Sequence, residues 1–196
     1  MDLMARRRVM LAQKKQKTYE WHAGQPLPNW IVLHKDVGTT ITVDDGGITI
    51  DSNNAGIWRI SGVVLSEPLK AELLSLSQYS ITFEYTNAYC PESNASINFS
   101  ALRNSYIYSQ TGLAVTKIKA SGLSDISNIW GEFAATDGNV TIISNSDGVN
   151  EFYKDGVLKY TATIGGLNTR YLCWVQQGST ANSRAYMTIT KITIKA

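Results

Sequence analysis

From Trp30 onward, apolar and polar residues alternate with a period of two, the period of a half-buried strand rather than that of a helix. The cleanest run is Tyr79-Ser80-Ile81-Thr82-Phe83-Glu84-Tyr85-Thr86. A second closes the chain. Strict alternation there puts Tyr186, Thr188, Thr190, Ile192 and Ile194 on one face and Met187, Ile189, Lys191 and Thr193 on the other. Between Glu151 and Thr163, two alternating runs flank Lys154-Asp155-Gly156. Asp-Gly between such runs is a strong hairpin signal, because glycine takes a positive φ without a Cβ penalty. Further turns are read at Asp44-Asp45-Gly46-Gly47, Asn53-Asn54-Ala55-Gly56, Thr136-Asp137-Gly138-Asn139 and Ser146-Asp147-Gly148.

These punctuation marks divide the chain into short strands. They are predicted at Ile31–Leu33, Thr39–Val43, Ile48–Ile50, Ile57–Ser61, Tyr79–Thr86, Ala95–Ala101, Ser105–Gln110 and Leu113–Ile118. Others follow at Asn128–Thr136, Val140–Ser144, Asn150–Lys154, Val157–Thr163, Arg170–Gln176 and Arg184–Lys195. Short strands at this turn spacing mean an all-β sandwich or barrel. One short helix, or a turn crossing between sheets, is expected within it, from Ser66 to Ser77. Ser66 can cap it, Pro68 suits a first turn, and Leu69, Leu73 and Leu76 share a face.

The N-terminus follows a different rule. Met1 to Lys17 has no Gly or Pro and consists mostly of good helix formers. Leu3, Met4, Met10 and Leu11 cluster on one side, with charge around the rest, so an isolated helix here is marginal and needs a partner surface. Tyr19 to Asn29 reads as a connector, broken by Gly24, Pro26 and Pro28. The chain thus divides into a basic helical arm, residues 1–20, and a β body, residues 21–196.

Charge sharpens that division. The whole chain carries +2, yet residues 1–20 hold six basic side chains against two acidic ones, +4, which leaves −2 for the body. Specific nucleic-acid binding by the body is therefore not expected. Arg6, Arg7, Arg8, Lys14, Lys15 and Lys17 are the candidate anchoring residues of the arm. No run of about 18 apolar residues suggests a membrane span, and the short apolar stretch after the arginines is too brief for a signal peptide.

Candidate chemistry is sparse. Cys90 and Cys173 lack metal-ligand spacing and read as buried free thiols. His22 and His34 have no cysteine partners, so no metal site, cofactor or catalytic triad is expected. Glu84, Glu132 and Glu151 each stand alone in their strands, whereas glycoside hydrolysis needs paired carboxylates. The aromatics Trp58, Trp130, Trp174, Tyr106 and Tyr108 are candidates for a platform on which sugar rings stack, or for a subunit interface. The competing reading puts tryptophans of alternating strands in the core.

The order of features over residues 30–196 resembles a concanavalin A-like (laminin-G-like) jelly-roll domain. Tyr79-Ser80-Ile81-Thr82-Phe83-Glu84-Tyr85 is similar to an early strand of that family. Phe152-Tyr153-Lys154-Asp155-Gly156-Val157-Leu158 is similar to its Asp-Gly hairpin, and Ile189-Thr190-Lys191-Ile192-Thr193-Ile194 to its closing strand. The resemblance implies an antiparallel jelly-roll β-sandwich. No acidic cluster stands where that family holds calcium, so no metal is carried over. Met4-Ala5-Arg6-Arg7-Arg8-Val9-Met10-Leu11 resembles the openings of small bacteriophage structural proteins.

Together these readings lead to the expectation of a non-enzymatic structural component of a bacteriophage particle, in the head or as a tail fibre or decoration. It would be made in the host cytoplasm and carried in the virion. The arm would bind other virion proteins or further copies of the chain, as in a trimer, and the sandwich would face outward to meet host-surface glycans. The alternative is a bacterial lectin-like carbohydrate-binding module of a surface or polysaccharide-degrading system.

Overall fold

The computed structural model describes residues 16–53, 60–90, 96–102, 115–119, 130–134, 137–163, 172–176 and 184–196. Arg6, Arg7, Arg8, Lys14, Lys15, Trp58, Tyr106 and Tyr108 lie outside these residues, as do most of the expected arm helix and the strand expected at Ser105–Gln110.

In chain order the strands are β1 (Thr18–His22), β2 (Ile31–His34), β3 (Thr40–Asp44), β4 (Gly47–Asp51) and β5 (Ile60–Leu65). The helix α1 (Glu67–Ser75) follows, then β6 (Gln78–Tyr89), β7 (Ser96–Ser100), β8 (Val115–Lys119) and β9 (Trp130–Ala134). The last five are β10 (Gly138–Asn145), β11 (Val149–Lys154), β12 (Val157–Thr163), β13 (Cys173–Gln176) and β14 (Tyr186–Lys195).

They form two sheets. The larger runs β12-β11-β10-β6-β14-β4-β3, with β1 also paired to β14, and the smaller runs β2-β5-β13-β7-β8-β9. Pairing is antiparallel throughout the described strands except that β9 lies parallel to β8. One apolar core is shared by both sheets. Phe83 of β6 and Phe99 of β7 are fully buried, with ring centroids 5.4 Å apart. Burying each such ring contributes about 1.5–3 kcal/mol. The chain is an all-β sandwich, as the alternation implies.

The Asp-Gly hairpin forms as expected between β11 and β12. Asp155 (φ 50°) and Gly156 (φ 77°) both adopt the left-handed conformation that a two-residue hairpin requires. The preceding residue, Lys154, turns inward. Its ammonium lies 2.7 Å from Asp155 Oδ2, donates to the Asp137 carbonyl at 3.1 Å and sits over the Tyr85 ring. Burial, together with Asp155, pushes the Tyr85 phenol up.

Four expectations need correction. In β14, Ile192 and Ile194 are buried on the same side as Met187 and Ile189, not opposite them. The register against β6 shifts between Ile189 and Lys191, so Thr190 is an extra residue that reverses the phase of alternation. Second, the start of the connector is strand: Trp21 pairs with Ile192 and is buried. Third, Gln16 and Lys17 are not helical, and Lys17 exchanges backbone hydrogen bonds with Ala196. Fourth, β5 runs on to Leu65 through Gly62-Val63-Val64, a stretch that does not alternate because it is buried on both faces. Helix α1 matches its expected face, burying Leu69 and Leu73, although the Ser66 side chain makes no capping bond.

Candidate functional site

Of the residues singled out from sequence, Lys17 sits beside α1. Its ammonium lies 3.1 Å from Glu72, which also accepts from the Tyr19 hydroxyl at 2.7 Å. Hydrogen bonds from Tyr19 and Lys17 hold the Glu72 carboxyl below the usual carboxylate range. Lys17 thus fastens β1 to the helix.

Trp174 is in β13 with 4% of its surface exposed, and Trp130 opens β9. The Trp174 side chain lies on the side of the smaller sheet away from the shared core, to which its neighbours Cys173 and Val175 belong. A continuous line of partners crosses that sheet: His34, Gly62, Trp174, Asn98, Lys117 and Glu132. Trp130 stands two positions from Glu132, level with Val115 and Ser100. Asn98 is buried beside Trp174. A Cβ at Gly62 would fall 2.1 Å from the Cys173 carbonyl oxygen and 2.7 Å from Trp174 Cβ, so only glycine fits there.

An open site lies on the outer face of the larger sheet, where β4, β6 and β14 meet. Here Thr49, Asp51, Asn87, Tyr89, Arg184, Tyr186 and Thr188 surround a hollow of about 380 Å³. The Tyr89 and Tyr186 rings stack with centroids 5.0 Å apart and planes 21° off parallel. Tyr89 remains 44% exposed. The Arg184 guanidinium lies 4.8 Å from the Tyr186 ring centroid. It also grips Asp51 with both prongs, Nε donating to Oδ1 at 2.9 Å and Nη2 to Oδ2. The Thr49 and Thr188 hydroxyls bond across the strands at 2.9 Å.

A bulge builds this constellation. Thr86 faces Thr188 and Tyr89 faces Tyr186, so β6 spends two residues, Asn87 and Ala88, where β14 spends one, Met187. Asn87 absorbs the extra residue in the left-handed region, at φ 53°. Without it Tyr89, three residues after the outward Thr86, would face the core.

Burial alone would raise the Asp51 carboxyl, but the Arg184 fork and the Asn53 amide outweigh it and hold the group below its ordinary value. The same pairing raises Arg184. The site combines an apolar ring face, hydroxyls and a compensated ion pair, the features that suit a polyhydroxylated ligand. None of its residues was singled out from sequence. One signal was available: the alternation places Tyr186 and Thr188 on the same outer face.

Two of the three candidate carboxylates, Glu84 and Glu151, are already engaged. Glu84 pairs with Lys191 at 3.5 Å, and Glu151 accepts from the Tyr153 hydroxyl at 2.8 Å. Cys90 and Cys173 are buried and belong to no disulfide, and burial pushes the Cys173 thiol well up. Among the described residues, no group of three His, Cys, Asp or Glu side chains is placed to hold a metal ion. No helix among them is long and apolar enough to cross a membrane.

No protein-family model matches the chain, and no curated protein matches it. Solved structures do. A protein of unknown function from Shewanella oneidensis MR-1 matches all of this chain and 94% of its own, at a TM-score of 0.57 and 12% identity. The carbohydrate recognition domain of Emp47p matches 90% of this chain and 94% of its own, at 0.54 and 9%. A sialidase matches 84% of this chain over 17% of its own length, at 0.50 and 11%. At these identities the likeness is one of fold, and the fold is a concanavalin A-like β-sandwich.

Proposed function

We propose that the chain is a non-enzymatic, lectin-like module that binds a saccharide in the hollow beside Tyr89. The observation that carries this reading is the half-exposed Tyr89 ring stacked on Tyr186 next to the Arg184–Asp51 fork. A tyrosine pair offers an apolar face to the C–H groups of a pyranose ring, while threonine hydroxyls and the fork offer donors and acceptors to its hydroxyls. The shared fold with a domain described as recognising carbohydrate supports the reading. So does the engagement of Glu84 and Glu151, which leaves neither poised as half of a hydrolytic pair. A broad glycan array tests it. Saturable binding that is lost in Tyr89→Ala is expected, and absence of any saturable signal from the native protein rejects the reading.

A second reading places this module on a bacteriophage particle, and the charge split favours it: +4 in residues 1–20 against −2 in the remainder. Lys17 is occupied by Glu72, so Arg6, Arg7, Arg8, Lys14 and Lys15 would make the attachment to virion proteins or to further copies of the chain. Removing residues 1–15 leaves β1 intact and tests this. Unchanged oligomeric state and unchanged particle incorporation would sink it.

A further inference from the structure

We infer that the hollow beside Tyr89 selects uncharged saccharides and discriminates against those carrying a carboxylate or phosphate. This rests on the saccharide reading above and adds the ligand's charge class.

The inference comes from the charges that line the site. Among the described residues that line it, Arg184 and Asp51 are the charged side chains, and the others are threonine, asparagine, alanine and tyrosine. An arginine at the rim of a sugar site would ordinarily favour acidic sugars, because its fork matches a carboxylate. Here that fork is already filled. Nε donates to Asp51 Oδ1 at 2.9 Å, and Nη2 reaches Oδ2. Asp51 is held in place from its other side, with Oδ1 also accepting from the Asn53 amide at 2.9 Å. The Asp51 side chain is 12% exposed, so its charge lies within the wall of the hollow.

An incoming anion therefore meets a positive and a negative group together. Attraction and repulsion offset each other, and the hydration that the anion gives up is not replaced. A neutral sugar loses nothing comparable. Of the five N–H donors on a guanidinium, three remain after Asp51 takes two, and these suit hydroxyl oxygens. The guanidinium is also stacked over Tyr186, which fixes its plane.

The test is isothermal titration of the full chain with methyl galactoside, methyl glucoside and N-acetylglucosamine, and in parallel with glucuronic acid and N-acetylneuraminic acid. At least one neutral probe is expected to bind saturably, with both acids about tenfold weaker or more, a difference of about 1.4 kcal/mol. Asp51→Asn keeps an acceptor for Arg184 and removes the negative charge, so it should raise the acid-to-neutral affinity ratio about tenfold. That ratio is read within one variant, so partial loss of folded protein does not distort it. Arg184→Gln should move the ratio the other way. Acids that bind as tightly as neutral probes, or a ratio unmoved by Asp51→Asn, overturn the charge inference and leave the saccharide reading standing. Failure of every probe to bind overturns that reading and this inference with it.

Discussion

Tyr89 faces Tyr186 across β6 and β14 because Asn87 and Ala88 occupy the space of a single residue on the opposing strand. The two rings stack at 5.0 Å on the outer face of the larger sheet. One extra residue therefore converts what would be a core position into a surface one. The candidate site exists because the ladder is imperfect there.

That dependence can be tested at Asn87. A β-branched side chain is strained at φ 53°, whereas asparagine tolerates it. Asn87→Val should cost about 1–2 kcal/mol in urea unfolding and should weaken saccharide binding, while Asn87→Gly preserves both. Retained binding in Asn87→Val with an unchanged unfolding midpoint would show that the bulge does not need this conformation.

Gly62 marks a close approach of β5 to β13. Its Cβ would fall 2.1 Å from a backbone oxygen of β13, which cannot swing aside. Gly62→Ala should destabilise the protein by about 2–3 kcal/mol through forced separation of β5 and β13. Denaturant unfolding followed by Trp fluorescence measures this, since Trp174 lies directly opposite.

Two glycines near the Asp155 hairpin should respond differently. Gly156 has φ 77° and open space around it, so Gly156→Ala should cost about 1 kcal/mol from backbone strain alone. Gly138 (φ 150°) adds a collision: its Cβ would lie 2.0 Å from Lys154 Nζ and 2.4 Å from Asp155 Oδ1. Gly138→Ala should therefore cost more, about 2–3 kcal/mol, by displacing a buried ammonium from its partners. Equal losses in the two variants would mean that the Lys154–Asp155 contact contributes nothing.

Acid should weaken the fold in part through Asp51. Its native carboxyl is held low, so the unfolded chain takes up the proton first as pH drops. The contribution is complete above about pH 4, the ordinary carboxylate value, and is lost as pH falls through the depressed native one. Asp51→Asn should flatten the acid limb of a stability-against-pH curve without abolishing it. Glu72, held low by Tyr19 and Lys17, titrates in the same direction.

Much of the sandwich was legible in the chain. Lys154-Asp155-Gly156 announces its hairpin through a turn chemistry that acts over two residues, and Tyr79–Thr86 announces β6 through alternation. Pro68 and the leucines at 69 and 73 announce α1 in the same way. The site was not legible, because its parts are remote in sequence: Asp51, Tyr89 and Arg184 meet through three strands. Strand β1 was hidden by the prolines that follow it, although Thr18-Tyr19-Glu20-Trp21-His22 alternates and Tyr19 and Trp21 face inward.

The sequence by itself determined the all-β class, the hairpin at Asp155-Gly156, the short helix and the buried thiols, since each follows from local period, turn chemistry or the apolar character of one residue. Tertiary structure alone decided which face each half of β14 presents, that Lys154 is buried and that Tyr89 is not. For β14 and Tyr89 the physical reason is the same, whereas Lys154 follows the unbroken alternation of β11 and is accommodated there by Asp155 and the Asp137 carbonyl. A bulge such as those at Asn87 and Thr190 adds one residue to one strand and reverses every face beyond it, and whether it forms depends on the register of a partner far along the chain.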